Sequence, residues 1–173
     1  MEKLPQLIMR NSNLDDLPEL TMQNGITLHT HRAGDESAWE EIIESAFGEH
    51  HDFDLLIRLG GYDPDYVIYA EKNGRAIATA TAVENPAYPG EGWFRMIASH
   101  QDARGLGAGR LVCVAALHSL RERGYKSAVL STDDHRIAAL NLYYSLGFRP
   151  VYTHESHEER WKLILPKIKN LTS

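Results

Sequence analysis

The sequence predicts one domain of mixed α/β (α+β) class, with hairpin strands early and a strand-helix-strand-helix passage late. Three observations carry that prediction. The length of 173 residues suits one domain with a substantial buried core. Alternating apolar segments flank Asn73-Gly74, a pair that favours a tight hairpin turn. Two apolar runs, one from about Gly107 and one from Arg136, each end at a glycine, Gly124 and Gly147, as helices do. No internal repeat, low-complexity tract or long linker divides the chain.

Taken in order, the elements follow from local pattern. Asn11-Ser12-Asn13 and Asn24-Gly25 bracket a short N-terminal segment, so residues 1–25 read as an extension packed on the domain. Ile26 to Arg32 alternates in the manner of a strand and is expected to be the first of the sheet. Asp35-Glu36-Ser37 offers an N-cap and an acidic first turn, and Ser37 with Glu40 matches a capping box ahead of Trp39, Ile42, Ile43, Ala46 and Phe47. A looser helical stretch, Phe53 to Leu59, stops at Gly60-Gly61. Tyr66 to Glu71 and Ala76 to Val83 form the hairpin strands, and the turn-rich residues 85–90 lead into a strand from about Trp93 to Ser99. The helix after Gly107 is apolar around most of its circumference and should be largely buried, with Arg121 and Arg123 suited to its C-terminal dipole. Ser127 to Ser131 reads as a strand, Arg136 to Leu146 as a helix, and Phe148 to Tyr152 and Arg160 to Leu165 as two last strands. The domain then spans residues 26–166, and 167–173 form a C-terminal tail.

Composition bounds the function. Hydrophobic residues at 43% and charged residues at 24% are ordinary for a globular protein, and no apolar run approaches the roughly 20 residues of a membrane span. Met-Glu-Lys-Leu-Pro-Gln lacks a basic region followed by an apolar stretch, so no signal peptide is visible and a cytoplasmic location without membrane partners is expected. The single cysteine, Cys113, lies in an apolar run and reads as a small core residue. Net charge is −6 but unevenly spread: residues 1–99 carry 7 Lys/Arg and 17 Asp/Glu, whereas residues 100–173 carry 11 and 7. A polyanionic ligand suits the basic half and a cationic one the acidic half. The overall acidity argues against nucleic-acid binding.

The basic half holds the most informative segment, Ser99-His-Gln-Asp-Ala-Arg104-Gly105-Leu106-Gly107-Ala108-Gly109. Its glycines let backbone N–H groups turn toward a ligand, and the helix that follows adds unpaired N–H donors and the positive end of its dipole. A Walker loop requires Gly-Lys-Ser/Thr, but Gly109 precedes Arg110-Leu111; a dinucleotide fingerprint requires glycine at position 110. What remains is either a glycine-rich turn without a ligand or Arg104-x-x-Gly107-x-Gly109, which resembles the pyrophosphate loop of the GNAT superfamily of acyl-CoA-dependent N-acyltransferases.

A second segment strengthens the resemblance. Leu130-Ser-Thr-Asp133-Asp134-His-Arg136 leads into a helix with Ala139 and Tyr143 at i and i+4, and Leu146-Gly147-Phe148 closes it. This is similar to the other hallmark of that superfamily, and the two segments together span about residues 92–150. The family pattern often places proline where Gln101 stands and asparagine where Arg136 stands; Arg136 is then expected to reach a cofactor phosphate. Tyr144 is one position out of register.

The resemblance implies a mostly antiparallel central sheet with flanking helices and two parallel strands that splay apart, Trp93 to Ser99 and Ser127 to Ser131. Acetyl-CoA is the implied cosubstrate, with pantetheine amides meeting the backbone of Ile97, Ala98 and Ser99. Its pyrophosphate would sit on the N–H groups of Gly105, Leu106, Gly107, Ala108 and Gly109, with Arg104 and Arg110 adding charge. The implied reaction is direct attack of a neutral amine on the thioester in a ternary complex, with a strand N–H near Ala98 or Ser99 stabilising the oxyanion. Tyr143 would protonate the departing thiolate, its alternative reading being a packed aromatic. Glu84 is the first candidate for accepting the amine's proton, ahead of Glu49, His50, Glu91 and Asp133. The acceptor, a primary amine of a small molecule or peptide, would meet the least patterned residues, 46–62, 84–92 and 152–159, including a loop from His154 to Glu159. The rival reading is a non-catalytic acyl-CoA-binding or regulatory module. Nine histidines invite a metal site, but His29/His31, His50-His51-Asp52 and His154/His157 lack a third ligand at characteristic spacing, so no metal is expected. Domains of this size often dimerise, and a homodimer is left open.

Overall fold

The computed structural model describes residues 4–169; the first three residues of the expected extension and the last four of the expected tail lie outside them. Seven strands, β1 (Leu7–Asn11), β2 (Ile26–Thr30), β3 (Val67–Lys72), β4 (Arg75–Glu84), β5 (Gly92–Ser99), β6 (Ala128–Thr132) and β7 (Arg149–Val151), form one sheet. Their order is β2-β3-β4-β5-β6-β1-β7, and every neighbouring pair is antiparallel except β5 with β6. Four α-helices accompany them: α1 (Glu36–Phe47), α2 (Ala108–Glu122), α3 (Ile137–Ser145) and α4 (Ser156–Ile164).

Two apolar clusters hold the layers together. The larger joins α2, α3 and α4 to residues such as Leu7, Met9, Phe94, Leu130 and Phe148; the smaller packs Trp39, Ile42 and Ile43 of α1 with Phe53, Ile57, Val67 and Tyr69. α2 is the central helix, with Val112, Cys113, Ala116, Leu117 and Leu120 fully buried, because apolar residues surround most of it. Burial pushes the Cys113 thiol well above the usual cysteine range. No helix among the described residues is long and apolar enough to cross a membrane.

Three local expectations give way. The sheet does not begin at Ile26: β1 lies inside it, pairing with β6 on one side and β7 on the other. Leu7 and Met9 are fully buried, but five residues of alternation do not reveal that both edges of a strand will be covered. Residues 160–165 are not a strand. His157, Trp161 and Ile164 are the buried positions of α4, a helical i, i+4, i+7 spacing, while Leu163 in the apparent alternation is 70% exposed. The capping box at Ser37/Glu40 is also not formed: α1 starts without a side-chain cap bond, and Glu40 instead accepts from Phe53 N–H at 3.0 Å, anchoring a short π-helical turn at Asp54–Arg58.

Candidate active site

β5 and β6 pair only at Gly92↔Ala128, Trp93↔Val129 and Phe94↔Leu130. Beyond Phe94 they separate, leaving one edge of β5 without a neighbouring strand. At the same point β5 bulges against β4: Thr81 pairs with Arg95 and Thr79 with Ala98, so Met96 and Ile97 stand opposite the single residue Ala80. Met96 takes φ of 49°, an uncommon conformation for a side-chain-bearing residue that re-aims the strand's backbone groups. Nothing in the identity of Met96 announces this bulge. Two clefts, of about 260 and 950 Å³, open at the splay and share Gln6, Phe47, Ile97, Asp133, Arg136 and Tyr143. Ala98 and Ser99 line the larger one.

The glycine loop continues that larger cleft, which Arg104 and Gly109 also line. Gly107 caps α2 in the left-handed region, at φ 79°, where an L side chain is disfavoured. Gly109 serves a different need: a Cβ there would stand 2.7 Å from Ser99 Oγ, so its absence lets α2 approach β5. The N–H groups of Gly105, Gly107, Ala108, Gly109 and Arg110 have no partner among the described residues. Leu106 is committed elsewhere, its N–H to Ala103 O and its carbonyl to Asn24 Nδ2 at 3.2 Å. The Arg110 side chain also turns away, donating to Ser145 Oγ at 2.9 Å, and lines a separate pocket with Glu19, Thr21 and Gln23.

Tyr143, on α3, is 1% exposed and lines both clefts at the splay. Its ring meets Phe148 edge-on, with centroids 6.1 Å apart. Burial holds its hydroxyl protonated well above the ordinary tyrosine range; Cys113 adds to the shift and Arg136 opposes it. Arg136 spans the opening: its guanidinium lies 4.6 Å from the centre of the Phe47 ring and donates to Ile97 O at 3.4 Å. The structure thus brings Ile97, Ala98, Ser99, Arg104, Gly109, Arg136 and Tyr143 to one cavity.

Glu84 is not among them. It is exposed at the end of β4 and lines a different cleft with Tyr62, Tyr66, Arg123 and Tyr125, because alternation along β4 says nothing about which side of the β5/β6 divergence its last residue meets. The His154–Glu159 segment leads into α4, and none of its residues lines the two clefts. The side chains of the half-buried His29 and His31 lie largely covered beside carboxylates, His29 between Asp35 and Glu71 and His31 near Glu36. His31 Nδ1 also lies 3.1 Å from the Tyr69 hydroxyl.

Several lining residues escaped sequence reasoning. Trp93 stacks on Tyr88 at 5.4 Å, and Arg95 donates to the Tyr62 hydroxyl at 2.7 Å while lying over its ring. Gln6 Nε2 donates to Asp133 Oδ1 at 3.1 Å. These contacts join segments far apart in the chain, and no short motif encodes them.

An unpaired strand edge at a splay, continued by a loop of unbonded N–H groups at a helix start, is the arrangement the GNAT resemblance implies. The chain belongs to the acetyltransferase (GNAT) family, whose model matches residues 36–148. A mycothiol acetyltransferase of Thermomonospora curvata is 34% identical over 159 residues, 86% of this chain and 53% of the relative. The crystal structure of a GCN5-related N-acetyltransferase from Sphaerobacter thermophilus superposes with a TM-score of 0.70 at 26% identity, covering 86% of this chain and 50% of that one. The ribosomal-protein-S18-alanine N-acetyltransferase of Escherichia coli shares the fold, with a TM-score of 0.63 at 23% identity over 73% of this chain and 79% of its own. The chain spans about half the length of the curated relatives it matches.

Proposed function

We propose that this protein transfers an acetyl group from acetyl-CoA to a primary amine, with both substrates bound together. The observation that carries the reading is continuity: Ala98 and Ser99 on the free edge of β5, Arg104 and Gly109 of the glycine loop, and Tyr143 border one cavity. The residues fit the cosubstrate. The N–H groups from Gly105 to Arg110 that lack partners, with Arg104 beside them, would hold the pyrophosphate. The backbone of Ala98 and Ser99 would meet the pantetheine amides, while Ile97 O already has Arg136 as a donor. Acetyl-CoA supplies an activated acyl group and a thiolate leaving group.

Tyr143 provides the proton for that sulfur. A phenol kept protonated by burial remains a donor throughout the neutral range. The bulge at Met96 re-aims the backbone of β5 at the splay, and a strand N–H near Ala98 or Ser99 would serve there as the oxyanion donor. Phe47, stacked against Arg136, would shield the reacting end from water. Glu84, in its separate cleft, is set aside as the amine's proton acceptor. The relatives named mycothiol acetyltransferase support a small-molecule acceptor.

A calorimetric titration with acetyl-CoA, repeated on Gly107→Glu, tests the reading. Binding in the micromolar range that vanishes in the variant is expected, because the glutamate brings a bulky anion into the loop. It would be followed by thiol release when primary amines are added. Equal binding by both proteins would remove the loop from the cosubstrate site, and absence of binding would overturn the reading.

A further inference from the structure

Among the described residues, Asp133 is the one carboxylate that lines both clefts beside Tyr143. It is also held in place. Gln6 Nε2 donates to Asp133 Oδ1 at 3.1 Å, and Gln6 Oε1 accepts from Ser131 Oγ at 2.9 Å, so the amide is oriented from both ends. That leaves Asp133 Oδ2 free of this contact and able to accept from a ligand. Arg136, the cation that lines both clefts among the described residues, is occupied by Ile97 O and the face of Phe47 and forms no ion pair with Asp133.

Behind this pair stands Arg160 of α4. Its Nε donates to Asp134 Oδ2 at 2.9 Å and its Nη2 to Asp134 Oδ1, a two-pronged grip. Nη1 of the same guanidinium donates to Pro5 O at 2.8 Å and to Ser156 Oγ at 3.2 Å. One planar group therefore holds the residue next to Asp133 and the residue next to Gln6 at once. The Arg160 side chain is 14% exposed, so solvent screens this contact less than an ordinary surface pair. The charge of Asp133 also contributes to the raised pKa of Arg160. A lysine could not reproduce the grip, because an ammonium lacks the planar fork.

We propose that Asp133 anchors the acceptor's amine within the splay, and that Arg160 is a positioning residue that fixes the Gln6–Asp133 pair through Asp134 and Pro5. The proposal rests on the transferase reading above and names the group that receives the amine.

The test is steady-state kinetics on a panel of ethanolamine, putrescine, glycinamide and glucosamine, continued with the amine that releases most thiol. Asp133→Asn should raise KM for the amine at least tenfold and leave KM for acetyl-CoA within twofold. Arg160→Gln should show the same split, Arg160→Lys a smaller one, and Asp133→Asn with Arg160→Gln no more than Asp133→Asn alone. Gln6→Ala, an exposed substitution that leaves the core intact, should raise the amine KM by a few fold. An unchanged amine KM in Asp133→Asn overturns the proposal while transfer itself persists. Multiplying effects in the double variant, or an equal rise in both KM values for Arg160→Gln, would reduce Arg160 to a structural role. Acetyl-CoA binding without turnover on any of the four amines overturns the transferase reading and this proposal with it.

Discussion

Replacing Tyr143 by phenylalanine removes one oxygen and leaves the packing intact. The ring is 1% exposed and lies edge-on to Phe148 within the larger apolar cluster, contacts that phenylalanine keeps. Burial is the leading influence on the hydroxyl, which faces the clefts rather than another side chain of the apolar cluster. Tyr143 lines the clefts, and its hydroxyl is not one of the buried side-chain atoms left without a partner, so deleting it should change stability by no more than about 1 kcal/mol, a shift of roughly 2–4 °C for a chain of this size. Activity should fall. Loss of a positioned general acid lowers turnover by about 10²–10⁴, or roughly 2.7–5.4 kcal/mol of transition-state stabilisation. Thiol release gives kcat, calorimetry gives acetyl-CoA affinity, and thermal unfolding gives stability. The reasoning requires a large fall in kcat, unchanged affinity and a Tm within about 4 °C of the parent. A kcat within threefold of the parent would refute the acid role, and a Tm lowered by more than about 4 °C would show that the hydroxyl makes a structural contact.

Three further outcomes follow from the geometry. In Gly109→Ala the new Cβ would meet Ser99 Oγ at 2.7 Å, a crowding of about 1–3 kcal/mol set against roughly 1 kcal/mol of gained helix propensity. Adding Ser99→Ala removes the obstacle, so the double variant should melt above Gly109→Ala in a thermal scan; an equal or lower Tm contradicts the contact. Gly147→Ala combines φ of 89° with a Cβ 2.9 Å from Asn11 Nδ2, and denaturant unfolding should show a loss of at least about 2 kcal/mol. Stability should hold level between about pH 5 and 9 and fall on both sides. On the acid side, Glu36 is lowered to about 2 by its own backbone bond and Arg58, Glu91 is lowered by Arg10, and Asp134 by Arg160. Their stabilisation is present above the ordinary carboxylate range and is lost as pH falls through the depressed values. On the alkaline side burial raises Tyr69 and Tyr143, so the unfolded chain ionises first above about pH 10 and the fold weakens as pH rises. Urea midpoints across pH 3 to 11 measure both limbs, and a decline beginning near pH 6 would contradict the assignment.

Local chemistry explains which features could be read in advance. The hairpin at Asn73-Gly74, the start of α2 after Gly107 and the closure of α3 at Gly147 depend on backbone preferences within a few residues, and the structure shows each. Tyr143 could be placed on the α3 face because helical spacing alone sets that face. β1 and α4 could not be read the same way. Leu7 and Met9 look like any short apolar pair until β6 and β7 cover both edges. Trp161, Leu163 and Leu165 alternate well enough to imitate a strand, and only the partners of His157, Trp161 and Ile164 select the helix.

The amino-acid sequence by itself determined the mixed α/β class, the glycine loop before α2 and the helical register of Tyr143, since each is decided by φ, by residue size or by spacing within one turn. Only the tertiary structure decided that β5 and β6 part after Phe94, that Glu84 falls outside the resulting cavity, and that Gln6 and Asp133 meet at its rim with Arg160 gripping their neighbours Pro5 and Asp134. The reason is range: a side chain's neighbours across the sheet are set by strand order and register, which the whole chain chooses together.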